Sequence, residues 1–168
     1  PNNLEQAHEY IKWTKDSVMN ENWFCKKPDS TKAEYSIEQF KDEFNYLDKD
    51  FEIYGFMMKV DGAYVGYGQI IINQGGAFTK DKRVSWPSVA VGESVNRSKG
   101  LGTLICQKVY ELSKLHKCDV IEVGIFEFNN PIKQLLLKNG FKFIGQKEKI
   151  TYTQDRWWNA EHYLLPIY

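Results

Sequence analysis

What the chain lacks narrows its identity first. Its 168 residues include only Cys25, Cys106 and Cys118 as cysteines, with no Cys-x-x-Cys pair and only three histidines, which argues against a disulfide framework and a structural zinc site. No metal is implied, and the cysteine usage suits a reducing cytoplasm. No apolar run approaches the ~20 residues that cross a bilayer as a helix, and Pro1-Asn2-Asn3-Leu4 shows neither the basic nor the apolar region of a signal peptide. A cytoplasmic protein with no membrane partner is expected. Net charge is missing as well: 22 basic side chains balance 22 acidic ones, so there is no electrostatic footprint for nucleic acid, and a small partner is expected. No repeat or low-complexity linker divides the chain. With 42% hydrophobic and 15% aromatic residues, 168 residues suffice for one core and are too few for two, so residues 1–168 are read as a single domain.

Two familiar phosphate signatures are also absent. No Gly-Lys-Ser/Thr closes a P-loop, and no Gly-x-Gly-x-x-Gly forms a dinucleotide fingerprint. What the chain has instead is Arg97-Ser98-Lys99-Gly100-Leu101-Gly102-Thr103, a basic, glycine-bearing loop that opens onto an amphipathic segment. Thr103 to His116 carries apolar residues at Leu104, Ile105, Val109, Leu112 and Leu115, the spacing of a helix face. The first amides of a helix have no partners within it, its dipole favours an anion there, and glycine lets a phosphate approach the backbone. Arg97 and Lys99 add full charges. Ser85 to Glu93 reads as a buried strand leading into the loop, giving strand, anion loop and helix. The alternative is a tight turn whose glycines serve only their dihedrals.

A second block follows about thirty residues on. Val120 to Phe126 reads as a strand, and Asn129 or Asn130, Pro131 and Gly140 punctuate a helix as cap, first turn and C-terminal stop. Elsewhere, Leu4 to Trp13 and Ile37 to Leu47 are expected helices, the latter with Ser36 and Gln39 as a capping box, and Lys15 to Lys32 is read as irregular. Tyr54 to Val60 and Ala63 to Ile72 flank Asp61-Gly62 as a hairpin. Asn73 to Arg83 is read as a loop, Phe141 to Gly145 as a short strand, Gln146 to Ala160 as a long connection and His162 to Ile167 as the closing antiparallel strand.

The first block resembles motif A of the GNAT superfamily of acetyl-CoA-dependent N-acetyltransferases, Arg/Gln-x-x-Gly-x-Gly/Ala, at Arg97, Gly100 and Gly102. The second is similar to that superfamily's Asn-x-x-Ala/Ser-x-x-Leu-Tyr-x-Lys-x-Gly-Phe, with Asn129, Leu135, Lys138, Gly140 and Phe141 in register. The resemblance spans Phe51 to Ile167. It implies an α/β (α+β) GNAT fold: a mixed, mostly antiparallel sheet with a splayed central strand pair and helices on both faces. It further implies acetyl-CoA, held by the backbone of Val89 and Val91 and by the loop Arg97, Ser98, Lys99, Gly100, Leu101, Gly102 and Thr103, with Asn129 either orienting the cofactor or capping its helix.

Two positions depart from the pattern: Ile132 replaces the small residue and Leu136 the tyrosine that, in the family, protonates the departing thiolate. A thiol with a reference pKa of about 8.5 still leaves tolerably near neutrality. Tyr152 and Tyr163 are candidate replacements. The acceptor amine must shed a proton, since a lysine-like amine has a pKa of ~10.4. Glu93, in a Val91-Gly92-Glu93 segment resembling the Ile-Gly-Glu of several family members, is one candidate base, and Glu127, on the face of Asn129, is the other. Either could instead be a surface carboxylate. Glu122 points to the opposite face, and His8, His116 and His162 are read as structural or exposed. Trp157 and Trp158 are read as packing under the last hairpin, with pocket wall or dimer contact as the alternative.

The implied acceptor is a small-molecule amine or a peptide. The Val91-Gly92-Glu93 and Arg156-Trp157-Trp158-Asn159 segments are similar to ribosomal-protein-alanine and polyamine acetyltransferases, while Ser98 to Thr103 resembles the Gly-Lys-Gly-Leu/Ile-Gly-Thr of aminoglycoside 6'-N-acetyltransferases. A non-catalytic acyl-CoA-binding module is the reading from another class, motivated by Leu136. Monomer and homodimer are both open.

Overall fold

The computed structural model describes residues 4–23, 25–28, 36, 38 and 51–168. Among them six strands form one sheet in the order β1-β2-β3-β4-β6-β5, namely β1 Glu52–Val60, β2 Ala63–Ile72, β3 Val84–Val91, β4 Val120–Phe126, β5 Lys142–Thr153 and β6 Arg156–Pro166. Helices α1 (Leu4–Thr14), α2 (Ser17–Trp23), α3 (Leu101–Leu115) and α4 (Asn130–Lys138) accompany it. Only β3 and β4 pair in parallel; every other neighbouring pair is antiparallel. This is the mixed, mostly antiparallel sheet that the motifs imply. Of the expected helix Ile37 to Leu47 and its capping box, all but Ser36 and Glu38 lies outside the described residues.

The sheet divides the core. On one face Val109 of α3 and Leu136 of α4 pack with Ile70, Ile121, Val123 and Ile125. On the other, Ala7, Tyr10 and Trp13, spaced by three along α1, cluster with Tyr67 and with Met19 of α2. The Tyr10 and Tyr67 rings meet edge to face at 5.0 Å, worth about 0.5–1.5 kcal/mol beyond the area they bury. Helices therefore cover both faces.

The feature that makes a site is the parting of β3 from β4. Their ladder consists of two register pairs, Val84 with Val120 and Ser85 with Ile121. The next odd-numbered residue on β3 is Pro87. Because Gly92 N donates to Val65 O on β2, and backbone groups alternate sides along an antiparallel strand, the groups of Pro87, Val89 and Val91 point toward β4. Proline has no N–H to continue the ladder, so the parallel pairing ends there and the strands diverge. Beyond it, the main-chain groups of Val89 and Val91 are out of the β3–β4 ladder and border the split, Val91 O accepting from Arg97.

Three sequence expectations need correction. Lys15 to Lys32 is not wholly irregular: Asp16 Oδ1 accepts the Met19 amide at 2.9 Å and starts α2, an aspartate cap whose helix is too short to show periodicity. The first turn of α3 begins at Leu101, not Thr103. The C-terminal region is a long hairpin in place of a short strand and a long connection: β5 and β6 run twelve and eleven residues around Gln154-Asp155. Both turn residues have positive φ, 53° and 57°, without the glycine that usually announces such a turn. Irregularities at Phe143/Gly145 and Lys147/Thr151 break the alternation that marks a strand. Trp157 and Trp158 lie within β6, and Trp158 packs on Phe128 at 5.0 Å.

Candidate active site

A cleft of about 550 Å³ opens between β3, the start of α3 and the start of α4, with Val89, Ala90 and Val91 on one side and Arg97, Ser98, Gly100, Gly102 and Thr103 at its end. Gly100 caps α3 with φ 84°, a left-handed conformation that a side chain disfavours, and offers no side-chain bond to the helix. The amides of Leu101 and Gly102 have no partner within the helix, because they precede the first i→i−4 bond. Ser98 is left-handed too, with φ 60°, a backbone that curls successive N–H groups inward as in anion-holding turns. Gly102 serves packing: a Cβ there would stand 3.1 Å from Leu135 Cδ2 of α4. Lys99 and Leu101 line neither lobe of the cleft.

Arg97 does more than offer charge. Its guanidinium donates to Gly92 O at 2.9 Å and Val91 O at 3.4 Å, and pairs with Asp16 at 3.1 Å. It thus ties the end of β3 to the α1–α2 turn, while its side chain still borders the cleft. The Asp16 carboxyl is held below its usual pKa, chiefly by the Met19 amide and further by Arg97, against the opposing effect of burial.

A second lobe, about 410 Å³, runs through the split between β3 and β4 and meets the first at Asn22, Val89, Asn129 and Ile132. Its helix-side end includes Cys106 and Leu136, where burial pushes the Cys106 thiol up to about 11. Its other end is bounded by Trp86, Gly124, Lys147, Ile150 and His162. Gly124 makes this end possible, since a Cβ there would lie 3.0 Å from Trp86 and 3.4 Å from His162 Nε2. Lys147 donates to Gly76 O and stands 5.2 Å from the Phe78 ring centre.

Behind His162 sits Glu122, with no exposed surface at all, against 2% exposure for His162. Its carboxylate accepts Phe78 N at 2.6 Å, Thr79 N at 2.9 Å and His162 Nδ1 at 2.8 Å. Burial pushes the Glu122 pKa up, but the bonds from Thr79, Phe78 and His162 outweigh it and hold the carboxyl below its usual value. Burial also holds His162 below 6.5, against the pull of Glu122. An ionised carboxylate only accepts, so Nδ1 carries the proton and Nε2 is the ring's acceptor.

The other expected site residues are distributed as follows. Asn129 borders both lobes, and its Oδ1 accepts the Ile132 amide at 3.5 Å as the cap of α4. Glu93 lies outside the cleft, paired with Lys12 at 2.5 Å. Glu127 also lies outside it and accepts Asn159 N at 3.1 Å. Neither tyrosine proposed to replace the missing one borders the cleft, and the Tyr163 hydroxyl donates to Glu161 at 2.7 Å. His162 and Glu122 are what the sequence reading passed over. The signal that could have found them is a glutamate inside an otherwise apolar strand, a position where carboxylates occur only with partners.

The sequence model of the acetyltransferase (GNAT) family matches residues 15–141. The chain belongs to that family. Its enzymes use acetyl-CoA, and the cleft fits the cofactor: free helix amides and a left-handed glycine at one end, and strand groups facing the split beyond. No curated protein sequence matches the chain significantly. Among solved structures the fold is similar to an N-acetyltransferase from Staphylococcus aureus Mu50, with 18% identity, TM-score 0.72 and 98% of this chain and 94% of that one covered. It is similar to ribosomal-protein-alanine N-acetyltransferase from Brucella melitensis, at 19% identity and TM-score 0.72 over 96% and 94% of the two chains. Spermidine N-acetyltransferase from Vibrio cholerae, solved with CoA and spermine, gives 12% identity and TM-score 0.76 over 98% and 92%. At these identities the likeness concerns the fold.

Proposed function

We propose that this acetyltransferase acetylates a primary amine whose body is apolar or aromatic and carries no second positive charge, as one domain acting alone or as a homodimer. The observation that carries the reading is the lining of the second lobe. Among the described residues there it has Trp86, Phe126, Phe141 and Ile150 as apolar surface, Lys147 as a formal charge and no carboxylate. A polyamine or an aminoglycoside brings several ammonium groups, and desolvating them beside a lysine without anionic partners is unfavourable. A peptide N-terminus with an apolar first residue fits the same description.

Acetyl-CoA supplies the acetyl group as an activated thioester. In this reading the amides of Ser98 to Gly102 hold its pyrophosphate, with Arg97 adding charge and Thr103 bordering the loop, and the main-chain groups of Val89 and Val91 align the arm that carries the thioester and polarise its carbonyl. Asn129 and Ile132 stand where the two lobes meet, so the thioester arm would pass there from the first lobe into the second. Leu136 presents no acid at the helix-side end, which leaves the thiolate to depart unaided.

The test is a panel of amines scored by release of free thiol from acetyl-CoA. An aromatic monoamine or a peptide with an apolar N-terminal residue should exceed spermidine and kanamycin by at least about tenfold in kcat/KM, the equivalent of 1.4 kcal/mol. Equal or better turnover of either polycation would overturn the assignment.

A further inference from the structure

We infer that His162, oriented by Glu122, is the base that takes the proton from the acceptor amine. The inference rests on acetyl transfer to an amine, and not on the class of amine proposed above.

Three observations converge. His162 Nε2 faces the second lobe at the wall formed by Gly124 and Trp86, whose ring stands edge-on to the imidazole at 5.5 Å. Nδ1 is occupied by a carboxylate that two backbone amides fix in place, so the ring cannot turn without leaving Glu122 buried and short of a donor. Finally, Gly124 and His162 are register partners on the sheet face opposite α3 and α4. The cofactor loop belongs to α3, so the imidazole approaches the split from the other side, where an acceptor has to enter. Glu93 and Glu127, by contrast, lie outside both lobes and already hold Lys12 and Asn159.

The balance of the step follows. An ammonium gives one proton to Nε2, which exposes the nitrogen lone pair. The new bond joins that nitrogen to the acetyl carbonyl carbon. The C–S bond breaks with its electron pair on sulfur, the second surplus proton on nitrogen passes to that sulfur, and His162 returns its proton to solvent. The charged groups facing the ring are Glu122 on β4, which favours its protonation, and Lys147 on β5, which disfavours it. Burial keeps the ring neutral near pH 7 and ready to accept.

Glu122 is a positioning residue. Exchanging it for glutamine keeps an acceptor for Nδ1 and removes the negative charge, so the acid limb of the pH profile should move to lower pH. A role confined to packing would leave that limb unmoved.

The experiment uses the amine that turns over best, so that the acceptor assignment can fail separately. His162→Gln should lower kcat/KM by about 10²–10⁴-fold, the usual worth of general base catalysis. Its residual activity should lack the acid limb that the wild type shows below about pH 6.5. Acetyl-CoA should still raise its melting temperature, because the cofactor loop is on the other side of the sheet. Retention of more than about a tenth of the rate with an unchanged acid limb would overturn the inference. Should His162→Gln lose the cofactor shift too, His162→Ala with added imidazole decides: rescue supports the assignment and its absence sinks it.

Discussion

The two lobes of the cleft are built from different materials. The first takes its ligand-facing groups largely from main chain: amides at the start of α3, a glycine at φ 84° and strand groups that Pro87 leaves out of the β3–β4 ladder. The second is made of side chains from β3, β4, β5 and β6 together with Cys106 of α3 and Leu136 of α4, with a buried carboxylate and an imidazole at its wall. A main-chain site tolerates almost any residue that permits its backbone, which suits a ligand common to a whole family. A side-chain site changes with each substitution, which suits an acceptor that differs between members. On the proposed reading the division also divides the work: the first lobe would bind the cofactor and the second would handle protons.

The largest expected effect lies in the second lobe. Glu122→Ala removes the acceptor of three donors, the part-buried Phe78 N and Thr79 N and the buried His162 Nδ1, and should cost about 3–5 kcal/mol in urea unfolding at pH 7. A loss under about 1 kcal/mol would show that the pair is not part of the folded core. Its pH dependence has a definite sign. His162 is held below 6.5, so its contribution is present above that value and is lost as pH falls through the folded pKa. Glu122 is held below 4.5, and its contribution is lost further down, as pH falls through its own folded value. Acid should therefore weaken the wild type from about pH 6.5 downward, and His162→Gln should remove the first part of that loss.

Next comes the first lobe. Acetyl-CoA at about 100 times its Kd should add about 2.7 kcal/mol to the wild type. Gly100→Glu places a carboxylate among the amides and a side chain at φ 84°, and should abolish that gain. The variant should still fold, because nothing lies within 4 Å of a Cβ at that position. An undiminished thermal shift would mean that the loop is only a turn, and the comparison between lobes would collapse.

Asn129 sits where the lobes meet, and its effect should be smaller. Loss of its cap in Asn129→Ala should cost about 0.5–1 kcal/mol, at the low end for such caps because the bond is long at 3.5 Å. An unchanged KM for acetyl-CoA would confine Asn129 to capping. A rise of tenfold or more would make it a cofactor ligand as well.

The same contrast explains what could be read from the chain. Arg97 to Thr103 and Asn129 to Phe141 are contiguous, so their backbone chemistry is written in local order, and Asp61-Gly62 likewise announces the β1–β2 hairpin. Glu122 and His162 are forty residues apart, and the β4–β6 register places His162 beside Gly124. The amides that complete the set come from residues 78 and 79, in a loop without periodicity. Nothing local predicts that meeting. The β5–β6 hairpin was obscured for a related reason: its bulges and its Gln154-Asp155 turn remove the alternation and the glycine by which a hairpin is recognised. Pro87 was in plain view, but its consequence depends on which side of β3 it faces, and that is known only once β2 is in register.

The smallest expected effect tests whether the second lobe's charge selects its acceptor. Lys147 lines that lobe and disfavours the protonated form of His162. Lys147→Met removes a cation without adding an anion, so His162 should protonate more readily and the acid limb should rise by less than about 1 pH unit. The same change removes repulsion toward a second ammonium, and the preference for a monoamine over spermidine should narrow by a few fold, in keeping with the modest worth of partly exposed charges. A shift of the acid limb without any change in preference would separate the two roles. Lys147 would then tune the base, and exclusion of polycations would rest on the lack of carboxylates among the described lining residues alone.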